Sequence, residues 1–130
     1  MHIPGEAVVS ALNEAREQIH FLSLHDPLTG LPNRRHGLER LQQALACPRP
    51  DALLAVLYID LDRFRYVNDT HGHLIGDALL QAVARRLGDE LGRDDFLCRT
   101  SANEFMAVLP GMASHDEISI LCARMLSGLS

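Results

Sequence analysis

Residues 99–105 read RTSANEF, with FLC before them and MAVL after. Two apolar runs around a short polar stretch predict a β-hairpin. Hairpin tips favour Gly or Asn-Gly, because tight turns need positive φ. This tip offers Ser101 and Ala102 instead, and a Cβ is unfavourable at positive φ. A tip built against local preference marks Ser-Ala-Asn-Glu as a stretch with another role. The other strand signal is the apolar run ALLAVLYI at 52–59. A run with so little polar interruption predicts a strand buried on both faces, central in its sheet. It leads directly into Asp60-Leu61-Asp62.

Helical patterns surround these strands. Residues 6–24 carry Val8, Leu12, Ala15, Ile19 and Leu22 at alternating spacings of four and three, a narrow seam. A dimerising stalk or signalling linker fits that seam, and so does a helix lying on its own domain. HDPLTGLPNRR (25–35) has two Pro and a Gly and predicts a fixed loop. Asn33 is placed to cap a helix over 34–46 with Leu38, Leu41 and Leu45 as its core face. NDTHGH (68–73) reads as a loop, and Gly76-Asp77 opens a helix with Ala78, Leu79, Val83 and Leu87 inward. Ser114 or Asp116 caps a last helix, with Ile118, Leu121, Cys122, Met125 and Leu126 as its buried stripe. The order predicts an α+β sandwich, helices on a mainly antiparallel sheet behind an N-terminal stalk helix. A split βαβ pattern calls for one more strand than the sequence offers, so the expectation is a piece of a longer protein or an exposed sheet edge.

Composition narrows the function classes. The length of 130 residues fits one domain. The net charge of −5 disfavours a nucleic-acid backbone as partner. All twelve basic residues are Arg, which reads as composition bias. Cys47, Cys98 and Cys122 show no C-x-x-C spacing and predict reduced, buried thiols of a cytosolic protein, without a zinc site. No run reaches membrane-spanning length. Residues 1–5 lack the pattern of a signal peptide. The expected location is cytoplasmic, or the cytoplasmic part of a larger membrane-anchored protein.

The chemistry concentrates where the strand ends. Asp60 and Asp62 share one face at about 6–7 Å if the strand continues through both. Carboxylates there need a cation or donors, and Mg²⁺ suits hard oxygen ligands. Asn103 or Glu104 would reach across from the hairpin. The alternative is that the two Asp merely accept backbone N–H bonds. The turn at Phe64-Arg65 could hold phosphates. Asn68 and Asp77 suit a guanine edge, since an amide meets O6 and N7 and a carboxylate accepts from N1–H and N2–H₂. Plain turn and helix-start chemistry also explains both, and on these residues alone it outweighs the guanine reading. No G-x-x-x-x-G-K-[ST] or G-x-G-x-x-G is present. His71 and His73 read as structural or exposed.

DPLTGLPNRR, YIDLDRFRYVNDTHGHLIGDALL and RTSANEF together resemble the GGDEF domain of bacterial diguanylate cyclases, from about residue 25 onward. The resemblance implies a fold related to nucleotidyl cyclase and polymerase palms, with residues 1–24 as linker or stalk and 25–130 as the GGDEF domain. Active members join two GTP into cyclic di-GMP across a dimer, each domain holding one GTP with Mg²⁺ or Mn²⁺. By resemblance, Asp60 is the metal carboxylate and Leu61 supplies a backbone ligand. Phe64 and Arg65 match the phosphate turn, where the family usually has Lys at 65. Asn68 and Asp77 match the guanine pair. The signature G-G-[DE]-E-F is here Ser101-Ala102-Asn103-Glu104-Phe105, so Glu104 is kept while both glycines and the metal-binding acid are replaced. Cβ atoms at 101 and 102 would crowd a phosphate or ribose, and Asn103 offers a neutral oxygen for a charged one. Weakened or absent metal binding and crippled catalysis are therefore expected, with guanine recognition able to persist.

The family's inhibitory R-x-x-D falls on Gly92-Arg93-Asp94-Asp95, so product binding is not expected there. The family's last strand and helix have no counterpart in these residues. The resemblance and its departures imply a catalytically inactive regulatory domain that binds GTP or dimerises, with its stalk as the pairing element, and serves a linked sensor or EAL phosphodiesterase. The alternatives are an active cyclase with an unusual signature and an interaction module without nucleotide.

Overall fold

The structure is a computed structural model describing residues 4–129, excluding the side chains of residues 20–22 and 128–129. Among the described residues five helices and three strands follow in the order α1 (Gly5–Leu24), α2 (Arg34–Ala46), β1 (Leu53–Asp60), α3 (Phe64–His71), α4 (His73–Asp89), β2 (Phe96–Ser101), β3 (Glu104–Met112) and α5 (His115–Leu129). The sheet is antiparallel with order β1-β3-β2.

This order corrects one expectation. β3, not β1, is the central strand among those described. Its residues from Phe105 to Leu109 are all buried, and alternation sends them to two different cores. Phe105, Ala107 and Leu109 enter the larger one with Leu80, Val83, Ala84, Leu87, Leu121 and Met125 from α4 and α5. Met106 and Val108 face the other way with Cys98, against Leu41 and Ala44 of α2. β1 is buried on one face only. Ala55 is buried and Leu57 and Ile59 lean on the larger core, whereas Tyr58 is 63% exposed. The uninterrupted apolar run reflects a second face that α2 covers only near Leu54.

Helix faces needed similar correction. α2 has the expected bounds, and Asn33 caps it by accepting from the His36 N–H at 3.0 Å. Its inward face is Gly37, Leu41 and Ala44, while Leu38 and Leu45 are exposed. A Cβ on Gly37 would collide with the Cys98 Sγ, so the glycine lets α2 settle onto β2. In α4, Leu80, Val83, Ala84 and Leu87 are buried, but Ala78 and Leu79 are exposed. Residues 64–71, half expected as loop, form α3. Gly72 at φ 87° separates it from α4, which starts at His73. Ser114 is the cap of α5, its Oγ accepting from the Glu117 N–H at 3.1 Å. Leu126 is exposed while Leu121 and Met125 are buried.

α1 keeps its expected extent, and its Val8, Leu12 and Ile19 are exposed. The side chain of Leu22 lies outside the described residues. Cys98 is buried, Cys122 is half-buried and Cys47 is exposed, which corrects the expectation of three buried thiols. No helix among the described residues is long and apolar enough to cross a membrane.

Candidate functional site

Strand register builds the site. Asp60, the last residue of β1, pairs with Glu104, the first of β3. The β2–β3 tip therefore sits beside the carboxyl end of β1, as the sequence suggested. The backbone tie is the Leu61 N–H donating to the Asn103 carbonyl at 2.9 Å. Between the two side chains, the Asn103 Nδ2 donates to the Asp60 Oδ1 at 3.0 Å and lies 3.5 Å from the Leu61 carbonyl oxygen. With no cation between these groups, the amide nitrogen is the end that meets them. Turned over, the amide would set its own oxygen against a carboxylate and a carbonyl, three acceptors with no donor.

The tip itself is a two-residue connection, Ala102-Asn103. Among the described residues Arg63 is the sole non-glycine with positive φ, so Ser101 and Ala102 carry none of the strain anticipated for them. A register shift between Arg99 and Ser101 accommodates the turn instead. Glu104 is held by the Thr100 Oγ1, which donates to its Oε1 at 2.8 Å.

Beyond Asp60 the chain leaves the sheet, so strand alternation does not extend to Asp62. That residue is exposed in the turn. Arg63 follows in a left-handed conformation, φ 65° and ψ 13°, which costs about 1–2 kcal/mol for a residue bearing a Cβ. Such strain gathers at functional turns. The Phe64 side chain fills the larger core, which anchors the turn, and Arg65 is exposed on the first turn of α3. Asn68, on α3, is pressed against Gly76 of α4. A Cβ there would collide with the Asn68 Oδ1, which is buried and has no partner. Asp77 follows directly, so the α3–α4 packing brings Asn68 and Asp77 to one junction.

The residues present do not form a good cation site as they stand. Among the described residues no group of three His, Cys, Asp or Glu is placed to hold a metal ion. Asp60 and the Leu61 carbonyl are the oxygens that the Asn103 amide faces, and it meets them as a donor. At the other sequence candidate, the Asp95 Oδ2 accepts from the Gly92 N–H at 2.8 Å, and Asp94 pairs with Arg49 at 3.3 Å.

The sequence profile described as "Diguanylate cyclase, GGDEF domain" matches residues 23–130. The chain belongs to the GGDEF family. It is 42% identical to the diguanylate cyclase DgcP of Pseudomonas aeruginosa over 113 residues, which is 85% of this chain and 16% of DgcP. The chain thus spans under a fifth of the length of this curated relative. The GGDEF domain of TpbB (YfiN) from the same organism superposes with a TM-score of 0.74 at 36% identity, covering 80% of this chain and 61% of that one. The coiled coil and GGDEF domain of DgcB from Caulobacter crescentus, in complex with c-di-GMP, gives a TM-score of 0.80 at 26% identity, covering 92% of this chain and 63% of that one. The mixed helix and antiparallel-sheet fold, with a helix leading into it, is that of GGDEF domains in cyclic di-GMP signalling.

A second set of residues supports the tip, and sequence reasoning did not single it out. Arg99 donates from Nη1 to both Asp26 oxygens, at 3.0 and 3.1 Å. It also donates from Nε to the Ser101 carbonyl at 3.2 Å and from Nη2 to the Ala102 carbonyl at 2.8 Å. Asp26 in turn accepts from Thr29 through the backbone N–H at 2.9 Å and the hydroxyl at 2.7 Å. Burial alone would raise the Asp26 pKa, but the Thr29 bonds and Arg99 outweigh it and hold the carboxyl below its ordinary value. The same loop grips the end of α1, where Asn33 donates from Nδ2 to the Ser23 carbonyl at 3.0 Å and from its backbone N–H to the Leu24 carbonyl at 2.8 Å. The one sequence signal was the polar run inside DPLTGLPNR, which reads as ordinary turn chemistry.

Proposed function

We propose that this chain is a GGDEF domain without cyclase activity, which binds GTP or pairs with a second copy and so regulates a linked domain such as an EAL phosphodiesterase. The observation that carries the reading is Asn103. Where the family signature places a metal-binding acid, this side chain presents an N–H to Asp60. A site for Mg²⁺ or Mn²⁺ at Asp60 and the Leu61 carbonyl would lack its second anion, and few protein ligands hold Mg²⁺ in the first place. Asp60 and Glu104, the candidate catalytic carboxylates, then have no activated nucleophile to serve.

Nucleotide recognition does not depend on that lesion. Asn68 and Asp77 stand at one helix junction and have the groups that a guanine edge needs. The Asn68 Oδ1 is buried against Gly76, so the amide end that a guanine O6 or N7 would meet is its Nδ2. In this reading Phe64 fixes the turn and Arg65 supplies a cation for phosphate, with Ser101 and Ala102 on the opposite side. An inhibitory cyclic di-GMP site at 92–95 is not proposed, because the Arg it needs is Gly92 and Asp95 is occupied by its own turn. The exposed seam of α1 fits a homodimer, and the family fold fits a cytoplasmic location.

The test is incubation of the purified protein with GTP and Mg²⁺ or Mn²⁺. No cyclic di-GMP is expected, and steady production overturns the reading. GTP is expected to raise the melting temperature; no shift would leave a pairing module without nucleotide. An active cyclase is the second reading, favoured by the identity with DgcP and by the retained Glu104, and the same assay separates it.

A further inference from the structure

We propose that the Asn103 amide takes the place of the cation itself, latching the hairpin tip to the end of β1 without metal. The inference rests on the reading above, since it concerns the same position. One donor group on the hairpin tip faces two oxygens of consecutive residues at the end of β1. Its bond to the Asp60 Oδ1 is 3.0 Å, and its distance to the Leu61 carbonyl is 3.5 Å. The backbone bond from Leu61 to the Asn103 carbonyl closes the ring. A divalent ion at a strand end does the same work: it screens a carboxylate and draws a carbonyl toward it. Here the screening is covalently supplied, and the amide stands between the oxygens an ion would join. An acid at 103 would act in the opposite sense. It would set a second negative charge beside Asp60 and make the tip depend on an added ion.

Melting temperature and Mn²⁺-induced line broadening, both measured on the intact chain without nucleotide, test this. The unaltered protein is expected to melt at the same temperature with a chelator, Mg²⁺ or Mn²⁺, and Mn²⁺ is expected to leave the Leu61 amide resonance sharp. Asn103→Asp is expected to lower the chelator melting temperature by about 3–5 °C, the shift when roughly one charge-assisted contact is lost in a domain of this length. Mg²⁺ is expected to restore it, and Mn²⁺ to broaden Leu61. The exchanged pair Asp60→Asn with Asn103→Asp is expected to recover metal-independent melting, because an amide again faces a carboxylate. The proposal is overturned if Mg²⁺ stabilises the unaltered protein as much as Asn103→Asp, if Mn²⁺ broadens its Leu61 resonance, or if the exchanged pair stays metal-dependent. These readouts are independent of turnover. Cyclic di-GMP synthesis by a protein whose tip ignores metal until nucleotide arrives would sink the functional reading and spare the latch. An inactive protein that binds Mn²⁺ at Leu61 would do the reverse.

Discussion

Replacing Arg99 by Met removes one side chain that ties three segments. The Asp26–Arg99 pair is 3.0 Å long, and its side chains are 17% and 15% exposed. A fully buried pair broken on one side costs about 3–5 kcal/mol, and a surface pair about 0–1 kcal/mol. Exposure of roughly one sixth places this pair between those limits, nearer the buried one. Thr29 still donates two bonds to Asp26 after the change, which softens the loss. The two tip carbonyls lose their donor but can turn to water. The expected loss is about 2–3 kcal/mol, or roughly 6–12 °C in melting temperature for a domain of this length. Urea denaturation of the wild type, Arg99→Met, Asp26→Asn and the double variant gives the coupling directly. Residues in contact couple by about 0.5–3 kcal/mol, and about 1–2 kcal/mol is expected here. Hydrogen exchange at the Leu61 amide, which bonds the Asn103 carbonyl, is expected to accelerate in Arg99→Met as the tip loosens. A coupling within about 0.3 kcal/mol of zero, or unchanged Leu61 exchange, would refute the view that this pair holds the hairpin.

The same carboxylate sets a pH dependence. Asp26 is held below its ordinary 3.8, so its stabilisation is complete above that value and disappears as pH falls through the lower folded one. The stability gap between wild type and Asp26→Asn is expected to stay constant from neutral pH down toward 3.8 and to shrink beneath it; a gap that closes well above that point contradicts the assignment. Gly37→Ala forces a Cβ onto Cys98 and the Met106 methyl and is expected to cost about 1–3 kcal/mol by overpacking, with Cys98→Ala in the same chain recovering part of it. In the native state Cys47 is expected to react with a thiol reagent at once. Cys98, buried and with its thiol pushed up to about 11 by burial, is expected to label only on unfolding, as peptide mapping by mass spectrometry would reveal.

Element positions were largely legible before any coordinates, because caps and periodicity are local. Asn33 announces α2, and the polar break at 99–105 announces the hairpin. α3 was missed because Asn68-Asp69-Thr70 reads as turn chemistry, although eight residues close a helix once Phe64 anchors in the core. The inward faces of α2 and α4 were misassigned by a residue or two. Leucines mark a helix as amphipathic, but the side that packs on a sheet is set by where the backbone can approach, and at α2 that is Gly37.

The amino-acid order alone determined the family resemblance, the helices and strands that carry it, and the amide at 103. The tertiary structure decided which of these residues meet. Asp26 and Arg99 stand 73 residues apart in sequence, and Asn103 stands 43 from Asp60, so neither meeting leaves a periodic trace. β1 and β3 carry apolar runs of the same kind, and only pairing determines which one is enclosed. Hydrogen bonds and burial between distant segments depend on register, and register is a property of the assembled sheet.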